Sequence, residues 1–230
     1  MSPTRQSVAS GSTETSTRIL EAAMEVFRRE GFEKATMRGI ALEAGVALGA
    51  AYYYYESKDA LVMAFYERAQ VGMAASIENA LKKPRDLRTR LKAVIEVKLN
   101  YFQRDRRLLG ALSAHIDPSH SLSPFGKETA EIREKDIRFF REALDGARER
   151  PHAELREHLP KLLWMYQMGL LLYWTYDSSP GQERTHELFQ KTLGIVSVLV
   201  RLSGLSVLRP VRKLVRDLMD LAYGTPQSTE

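Results

Sequence analysis

The side chains best suited to chemistry lie in the segment TMRGIALEAGVALGAAYYYYESK, residues 36–58. Its four consecutive tyrosines, residues 52–55, carry hydroxyls that can donate hydrogen bonds to phosphate oxygens and rings that can contact thymine methyl groups. Lys58 adds a cation that attracts phosphate. Gly49 and Ala50 are small enough to let a helix approach another molecule closely. These residue types favour contact with nucleic acid.

Two short helices around a glycine turn would position these side chains. Thr36 is a typical N-cap for the first helix, and its hydroxyl is also available to phosphate. Gly45 supplies the turn, and the second helix is expected over about residues 47–54. The first helix would turn three apolar residues inward: Ile40, Ala41 and Ala44. This arrangement is typical of a helix-turn-helix, whose second helix enters the major groove of DNA.

The alternative for the tyrosine run is a set of core aromatics on an amphipathic helix. Consecutive helix residues point about 100° apart, so four tyrosines in a row cannot all face inward. Helical spacing assigns Ala51 and Tyr55 to the inside, and Tyr52 and Tyr53 to the outside. An exposed aromatic cluster usually marks a binding surface, which favours the nucleic-acid interpretation.

Composition excludes several function classes. The 230 residues contain no cysteine, which rules out disulfides, thiolate catalysis and cysteine-bound zinc. No nucleophile–base–acid set and no GxSxG, P-loop or HExxH motif occurs, so the chain is expected to be no enzyme and to need no cofactor. The net charge of +5 favours an acidic partner only weakly, because residues 17–58 contain six basic and six acidic residues.

The pattern of the whole chain indicates an all-α protein. Apolar residues recur at helical spacing, and no period-two alternation marks a strand. Residues 1–16 are rich in serine and threonine and are expected to form a disordered arm, and residues 224–230 a disordered tail. A helix-turn-helix domain is expected over residues 17–60, and a larger helical domain for effector binding and dimerisation over residues 61–223.

Caps and helix breakers predict the helix boundaries. The first helix is expected over residues 17–30 and ends at Gly31. Ser57 is expected to cap a fourth helix that continues to about Leu81 without a linker. The further helices are expected at about residues 87–104, 106–116, 124–148, 152–177, 183–205 and 211–223. No apolar segment is a good membrane span and no signal peptide is visible, so the expected location is cytoplasmic, without a membrane partner.

Residues 17–61 resemble the DNA-binding domain of the TetR/AcrR family of bacterial transcription regulators. The resemblance rests on the ILEAAMEVF run, Gly31, TMRGIA from Thr36, AGV from Ala44, GAAYY from Gly49 and SKDAL from Ser57. It implies a three-helix helix-turn-helix domain joined by a continuous helix to a C-terminal ligand-binding and dimerisation domain. It also implies a set of DNA contacts. These are Thr36, Met37, Arg38, Leu48, Gly49, Tyr52, Tyr53, Tyr54 and Lys58.

Three features depart from the family pattern. Ala47 stands where a polar helix cap, often serine, is usual, which weakens the start of the second helix of the pair. Leu48 stands where a polar or basic base reader is frequent, and Tyr54 and Tyr55 replace a common His-Phe pair. Arg38 is therefore the best candidate for a contact with a base edge.

Two segments near the end are apolar on nearly every side. They are residues 162–176, LLWMYQMGLLLYWTY, and residues 193–205, which only Arg201 interrupts. A helix that is apolar all round must be covered all round. One side would pack on the protein's own core and the other on a second copy, and a fully internal helix pair is the alternative. The family resemblance likewise implies a homodimer through the last long helices.

An effector site is harder to predict. Aromatic and methionine side chains at helical spacing can line an apolar pocket, although they more often form plain core. The candidates are Tyr101, Phe102, Trp164, Tyr166, Gln167 and Met168. Gln167 is a polar group within an apolar helix and must bond to a ligand, a partner subunit or another side chain. His115, Asp117 and His120 are cation ligands by type, but such a loop is more often ordinary, and no metal is expected.

The favoured hypothesis is a ligand-responsive transcriptional regulator. It would bind double-stranded operator DNA, usually as a repressor, and be released by a small apolar or amphipathic effector. An all-helical enzyme and an adaptor that binds only protein are the alternatives. The sequence leaves open the operator, the effector, the regulated genes and the choice between repression and activation.

Overall fold

The computed structural model describes residues 5–83, 85–149 and 151–223. Within these ranges the chain forms eleven α-helices. They are α1 (Arg5–Glu30), α2 (Met37–Glu43), α3 (Leu48–Tyr54), α4 (Lys58–Leu81), α5 (Leu87–Tyr101), α6 (Arg106–Leu112), α7 (Ala130–Asp145), α8 (Ala153–Arg156), α9 (Leu159–Tyr176), α10 (Glu183–Leu202) and α11 (Arg209–Tyr223). These ranges contain no β-strand, and one isolated bridge pairs Arg85 with Ala147. The predicted all-α class is confirmed.

Helix α1 is longer at its N-terminus than predicted. It begins at Arg5, so that residues 5–16 are helical in place of the predicted disordered arm. Residues 1–4 and the predicted tail, residues 224–230, lie outside the described residues. Each serine or threonine costs a helix only about 0.5 kcal/mol relative to alanine, and extending a formed helix adds one hydrogen bond for each residue fixed. The packed turns from Ile19 onward therefore sustain the polar turns before them.

The local signals around the helix-turn-helix are confirmed. Thr36 Oγ1 accepts a hydrogen bond from the backbone N–H three residues later at 3.0 Å and caps α2. Ser57 Oγ caps α4 in the same way at 3.1 Å. Gly31 and Gly45 have φ angles of +85° and +64°, a left-handed conformation that favours glycine. They end α1 and turn the chain between α2 and α3.

Two of the later predicted helices differ most from their predicted extents, and the others differ by two to four residues at one end. Helix α7 begins at Ala130, later than predicted, because Ser123 and Thr129 hold the preceding residues in a hydrogen-bonded loop. The helix predicted over residues 152–177 divides into α8 and α9. Pro160 lies in the first turn of α9, where its ring and missing N–H prevent α8 from continuing into it.

The chain folds as two compact units. The first comprises Met1–Gly72 together with Phe102–Arg133. Its core contains side chains from α1 to α4 that are almost fully buried. They include Ile19, Phe27, Ile40, Ala51, Leu61 and Phe65. Arg28 Nε donates to the buried Asp105 carboxylate at 2.7 Å, which ties α1 to the second segment of this unit.

The second unit comprises Met73–Tyr101 and the residues from Glu134 onward. The buried Arg90 of α5 donates hydrogen bonds to four backbone carbonyls at 2.8–3.0 Å. These are the carbonyls of Leu81, Lys83, Glu142 and Ala143. The guanidinium therefore adds hydrogen bonds to carbonyls at and just beyond the C-terminal ends of α4 and α7, where intrahelical donors run out.

Asp177 fixes the turn between α9 and α10. Its carboxylate accepts hydrogen bonds from the hydroxyl and the backbone N–H of Thr185, and from the same groups of Ser179. These bonds, led by the one from the Thr185 hydroxyl, hold the pKa of Asp177 well below its usual range. The two longest apolar helices of the second unit are thus joined by a rigid corner.

Helix α4 continues without a break from one compact unit into the other, as predicted, and the change of unit falls at Gly72. The compact units do not coincide with the predicted domains 17–60 and 61–223, because residues 102–133 pack with the N-terminal helices. No single helix of the described residues is long and apolar enough to cross a membrane. One bent pair, Pro180–Leu202 and Ser206–Met219 meeting at 107°, has the length and composition to do so.

Candidate nucleic-acid interface

Within the first unit, helix α3 packs inward through Ala51, and Tyr55 at its end forms a polar contact with α1. Ala51 is fully buried at the centre of the helix. Tyr55, the C-cap residue, is half-buried, and its hydroxyl lies 2.9 Å from Ser16 Oγ on α1. The same hydroxyl donates to the Ser16 carbonyl at 3.3 Å. The inward positions assigned to Ala51 and Tyr55 are confirmed, and the opposite side of α3 is left outside.

That opposite side carries the exposed tyrosines. Tyr53 is 82% exposed and Tyr52 is 50% exposed. Gly49 is also exposed and lies three and four residues before them, which places all three on one helix face. Tyr54 is half-buried, and its ring meets the Tyr53 ring edge-on with centroids 5.1 Å apart. The prediction that one or two tyrosines must lie outside is confirmed.

The remaining candidate contacts divide between surface and core. Thr36, the cap of α2, and Arg38, within α2, are both exposed, and Leu48 is half-buried. Met37 is buried at 7% exposure and packs in the core of the first unit. The DNA contact expected of Met37 stays a prediction, although its side chain is buried in this structure.

The Lys58 ammonium binds backbone carbonyls of the first unit, a role that the sequence pattern did not predict. Its Nζ donates to the Phe32 carbonyl at 2.7 Å and to the Glu33 carbonyl at 3.3 Å. The ammonium also lies 4.6 Å from the centroid of the Phe32 ring. An ammonium has three N–H donors, so at most one is left for a phosphate. Lys58 fastens the start of α4 to the chain that follows α1.

One cation near the interface is neutralised within the first unit. Arg29 donates hydrogen bonds to Glu43 at 2.8 Å and to Glu30 at 3.1 Å, and these bonds, the one to Glu43 first, raise the pKa of Arg29. Arg38 is exposed and forms no ion pair with any described residue. Its guanidinium is thus the cation on this surface best placed to meet DNA.

The predicted effector residues are divided between the two compact units, and their role stays a prediction. Phe102 belongs to the first unit and packs against Phe65 with ring centroids 5.8 Å apart, whereas Tyr101 belongs to the second. The remaining four candidates lie on α9. Trp164 and Gln167 are buried, while Tyr166 and Met168 are half-buried. The Tyr166 hydroxyl lies 2.7 Å from Thr192 Oγ1, and burial raises the pKa of Tyr166.

Gln167 has the side-chain partner that its type requires, and the partner is Asp136. Gln167 Nε2 donates to Asp136 Oδ2 at 3.3 Å, and Lys98 Nζ lies 2.7 Å from Asp136 Oδ1. Neither Lys98 nor Asp136 was among the predicted site residues. Both belong to amphipathic helices without a motif. The one sequence signal was that Lys98 falls at a position where the apolar residues of α5 face inward.

The His115 loop is held by internal contacts. The His115 and His120 rings stack with centroids 4.1 Å apart, and His120 Nδ1 accepts from the Leu122 N–H at 3.1 Å. Asp117 Oδ1 accepts from both the N–H and the hydroxyl of Ser119. Among the residues that the structure describes, no group of three or more His, Asp or Glu side chains is arranged to hold a metal ion.

Two profiles of known protein families match this chain. The sequence profile described as "Bacterial regulatory proteins, tetR family" matches residues 19–65, which contain α2 and α3. The profile described as "Tetracyclin repressor-like, C-terminal domain" matches residues 90–221, more than half of the chain. The chain belongs to the TetR family of bacterial regulatory proteins.

Individual relatives are more distant. YvdT of Bacillus subtilis, an uncharacterized HTH-type transcriptional regulator, is 30% identical over 105 residues, which cover 46% of this chain and 54% of YvdT. FasR of Mycolicibacterium smegmatis, an HTH-type transcriptional activator, is 33% identical over 87 residues, or 38% of this chain and 40% of FasR. The chain therefore spans about half or less of these curated relatives. FadR from Bacillus subtilis, solved in complex with stearoyl-CoA, shares the fold with a TM-score of 0.59 at 15% identity, covering 77% of this chain and 97% of FadR.

Proposed function

We propose that this protein is a ligand-responsive transcriptional regulator that binds operator DNA through α2 and α3. The observation that carries the proposal is the exposed face of α3, formed by Gly49, Tyr52 and Tyr53, together with Arg38 of α2, which is exposed and forms no ion pair with any described residue. Tyrosine hydroxyls suit phosphate oxygens, and an arginine fork suits a guanine edge. The TetR family match over residues 19–65 supports the same reading. Such a regulator acts in the bacterial cytoplasm.

The regulator would act as a homodimer. The C-terminal half of helix α10 exposes four aliphatic residues at helical spacing, which we call the aliphatic face. They are Ile195, Val198, Leu199 and Leu202. Covering this face with a second copy would remove it from water, and a two-fold axis would then present two α3 helices to DNA. Successive major grooves require the two helices to lie about 34–36 Å apart.

Helix α4 is proposed to carry the signal. Lys58 fastens its start to the first unit, and Arg90 fastens its last carbonyls to α7 in the second unit. An effector that binds one spacing of the DNA-binding helices more tightly by about 1–3 kcal/mol would change operator affinity about 5- to 150-fold. FadR, which shares the fold, binds stearoyl-CoA. That supports an apolar or amphipathic effector and, with it, a repressor released by ligand.

A gel shift with the DNA upstream of the protein's own gene tests DNA binding directly. Wild-type protein should retard this fragment at a concentration at which an unrelated fragment of equal length stays free. The variant Arg38→Ala should lose this preference. Retention of both fragments to the same degree by wild type would leave only non-specific binding and would refute the operator function.

The signal path has its own test at Gly72, where α4 passes from one unit to the other. Gly72→Ala should favour the helical state of α4 by up to about 1 kcal/mol, because alanine has a higher helix propensity than glycine. The variant should change the coupling between effector and operator more than it changes the affinity for effector alone or for operator alone. Titrations of effector with and without DNA, and of DNA with and without effector, measure that coupling. An effector that binds but leaves operator affinity unchanged would exclude α4 as the carrier.

A further inference from the structure

Three polar side chains from three helices meet inside the second unit. Lys98 of α5 lies 2.7 Å from the Asp136 carboxylate of α7, and Gln167 of α9 donates to the other oxygen of that carboxylate at 3.3 Å. Lys98 and Gln167 are each only 1% exposed. We call Lys98, Asp136 and Gln167 the polar triad. No part of the DNA-binding function uses it.

The polar triad is incompletely satisfied. Gln167 Oε1 is buried and accepts no hydrogen bond from any described residue. Lys98 carries three N–H donors, and the Asp136 carboxylate is the one anion beside it in the described structure. Burial lowers the pKa of Lys98, an effect that Asp136 opposes. The triad thus offers one buried acceptor and spare buried donors, each of which is costly to leave unpaired.

The surroundings of the polar triad are apolar. Lys98 Nζ lies 5.7 Å from the ring centroid of Phe139 and 5.4 Å from that of Phe140. Trp164 and Trp174 are buried on the same helix as Gln167. A molecule that reached the triad would therefore bring an apolar body with it and present only its head to the polar atoms.

The charges of the polar triad indicate which kind of polar head group a bound molecule would carry. The Lys98 ammonium and the Asp136 carboxylate already neutralise each other, so a charged head would add an unbalanced charge to a buried site. A neutral head that both donates and accepts would satisfy Gln167 Oε1 with its donor and Lys98 with its acceptor. We propose that the polar triad recognises the hydroxyl or primary amide head of an otherwise apolar effector. This inference rests on the proposed function only in calling that molecule the effector.

A purely structural polar triad would behave differently from a binding site. In a structural cluster the unpaired Gln167 oxygen brings no benefit, and its removal affects folding alone. In a binding site its removal also changes which molecules bind. Gln167→Met matches the length of the side chain and removes both the unpaired acceptor and the donor to Asp136. These two effects on stability oppose each other, so the melting temperature should change little while head selection is abolished.

The experiment is a titration of the full chain with four probes that share one octyl body. The probes are 1-octanol, octanamide, octanoate and octylammonium. The fluorescence of Trp164 and Trp174, the chain's two tryptophans, reports binding on the helix that carries Gln167. The two neutral probes should bind about tenfold or more tightly than the two charged ones, the factor expected when a buried polar group is left unpaired.

Two variants and a control test the residue assignment. Gln167→Met should bind all four probes with similar affinity. Gln167→Glu adds a negative charge to the polar triad and should shift the preference to octylammonium. Gln70→Met replaces a buried glutamine of α4 in the first unit and should leave the wild-type preference unchanged.

Several outcomes would overturn the inference. They are equal or tighter binding of the charged probes by wild type, a neutral preference that survives in Gln167→Met, and no fluorescence response to any probe. DNA is absent from the titration, so the result is independent of the gel shift. Loss of head selection with intact operator binding refutes the triad alone, and head selection without operator binding refutes the proposed regulator.

Discussion

The face of α3 and the aliphatic face of α10 both expose large apolar side chains, and they differ in what those side chains carry at their tips. The face of α3 shows Tyr52 and Tyr53, whose rings end in hydroxyls, and the neighbouring helix α2 adds the exposed cation of Arg38. The aliphatic face of α10 shows isoleucine, valine and leucine only. Tyr52 and Leu199 are exposed to a similar degree, 50% and 58%. Exposure alone therefore does not distinguish the two surfaces.

The difference teaches which partner each surface suits. A ring with a hydroxyl can meet a wet, charged surface such as the phosphate backbone and still bury its carbons. An aliphatic side chain gains free energy only where water is excluded, as in the dry core of a subunit interface. This difference supports the proposal that the α3 face meets DNA and that the aliphatic face meets a second copy of the chain. Four pairs of substitutions test these two surfaces, from the largest expected effect to the smallest.

The largest effect is expected for Leu199→Glu on the aliphatic face. An unpaired charge buried in an interface costs several kcal/mol, so the dissociation constant of the dimer should rise more than about 100-fold. Leu199 is 58% exposed in the single chain, so the variant should still fold. Sedimentation velocity measures the oligomeric state and circular dichroism the fold. Val71→Glu, at an exposed position of α4, is the matched control and should stay dimeric.

Arg38→Ala comes next and concerns the α3 face. If Arg38 binds a base edge through two hydrogen bonds, the variant should lose about 1–3 kcal/mol of discrimination between operator and unrelated DNA. Arg38→Lys keeps the charge but not the fork, and should lose most of the same discrimination while retaining non-specific affinity. Fluorescence anisotropy with both DNAs measures this. An equal loss on both DNAs would reassign Arg38 to phosphate.

The tyrosines provide an internal comparison. Tyr53→Phe removes an exposed hydroxyl and should weaken binding to every DNA by about 0.5–1.5 kcal/mol without changing the melting temperature. Tyr55→Phe removes the hydroxyl bonded to Ser16 and should lower the melting temperature instead. Thermal unfolding and anisotropy on both variants separate the two roles. The distinction fails if Tyr53→Phe binds like wild type.

The smallest effect is expected at the start of α3. Ala47 is the N-cap in extended conformation, and its side chain makes no capping hydrogen bond. Ala47→Ser should therefore stabilise the fold by about 0.5–1 kcal/mol, measured by denaturant titration. Gly49→Ala, on the exposed face of the same helix, has open space around its added methyl and serves as a control for general helix stabilisation. A lower stability of Ala47→Ser would contradict the assigned cap.

The sequence by itself determined the local features of this protein. Caps at Thr36 and Ser57 and left-handed glycines at Gly31 and Gly45 depend on backbone geometry within a few residues, so their residue types predict them. The unbroken course of α4 followed from the absence of proline and of a linker. Tyr53 lies outside and Ala51 inside because consecutive residues of a helix point about 100° apart, and the helical period alone predicts this.

Only the tertiary structure decided which distant groups meet. Lys58 turns to the Phe32 carbonyl, Met37 turns into the core, and Phe102 and Tyr101 fall in different units. The polar triad joins side chains from α5, α7 and α9 that no motif connects. The reason is physical: caps and turns are set by neighbours along the chain, whereas a buried lysine or glutamine acquires its partner only when separate helices pack and exclude water.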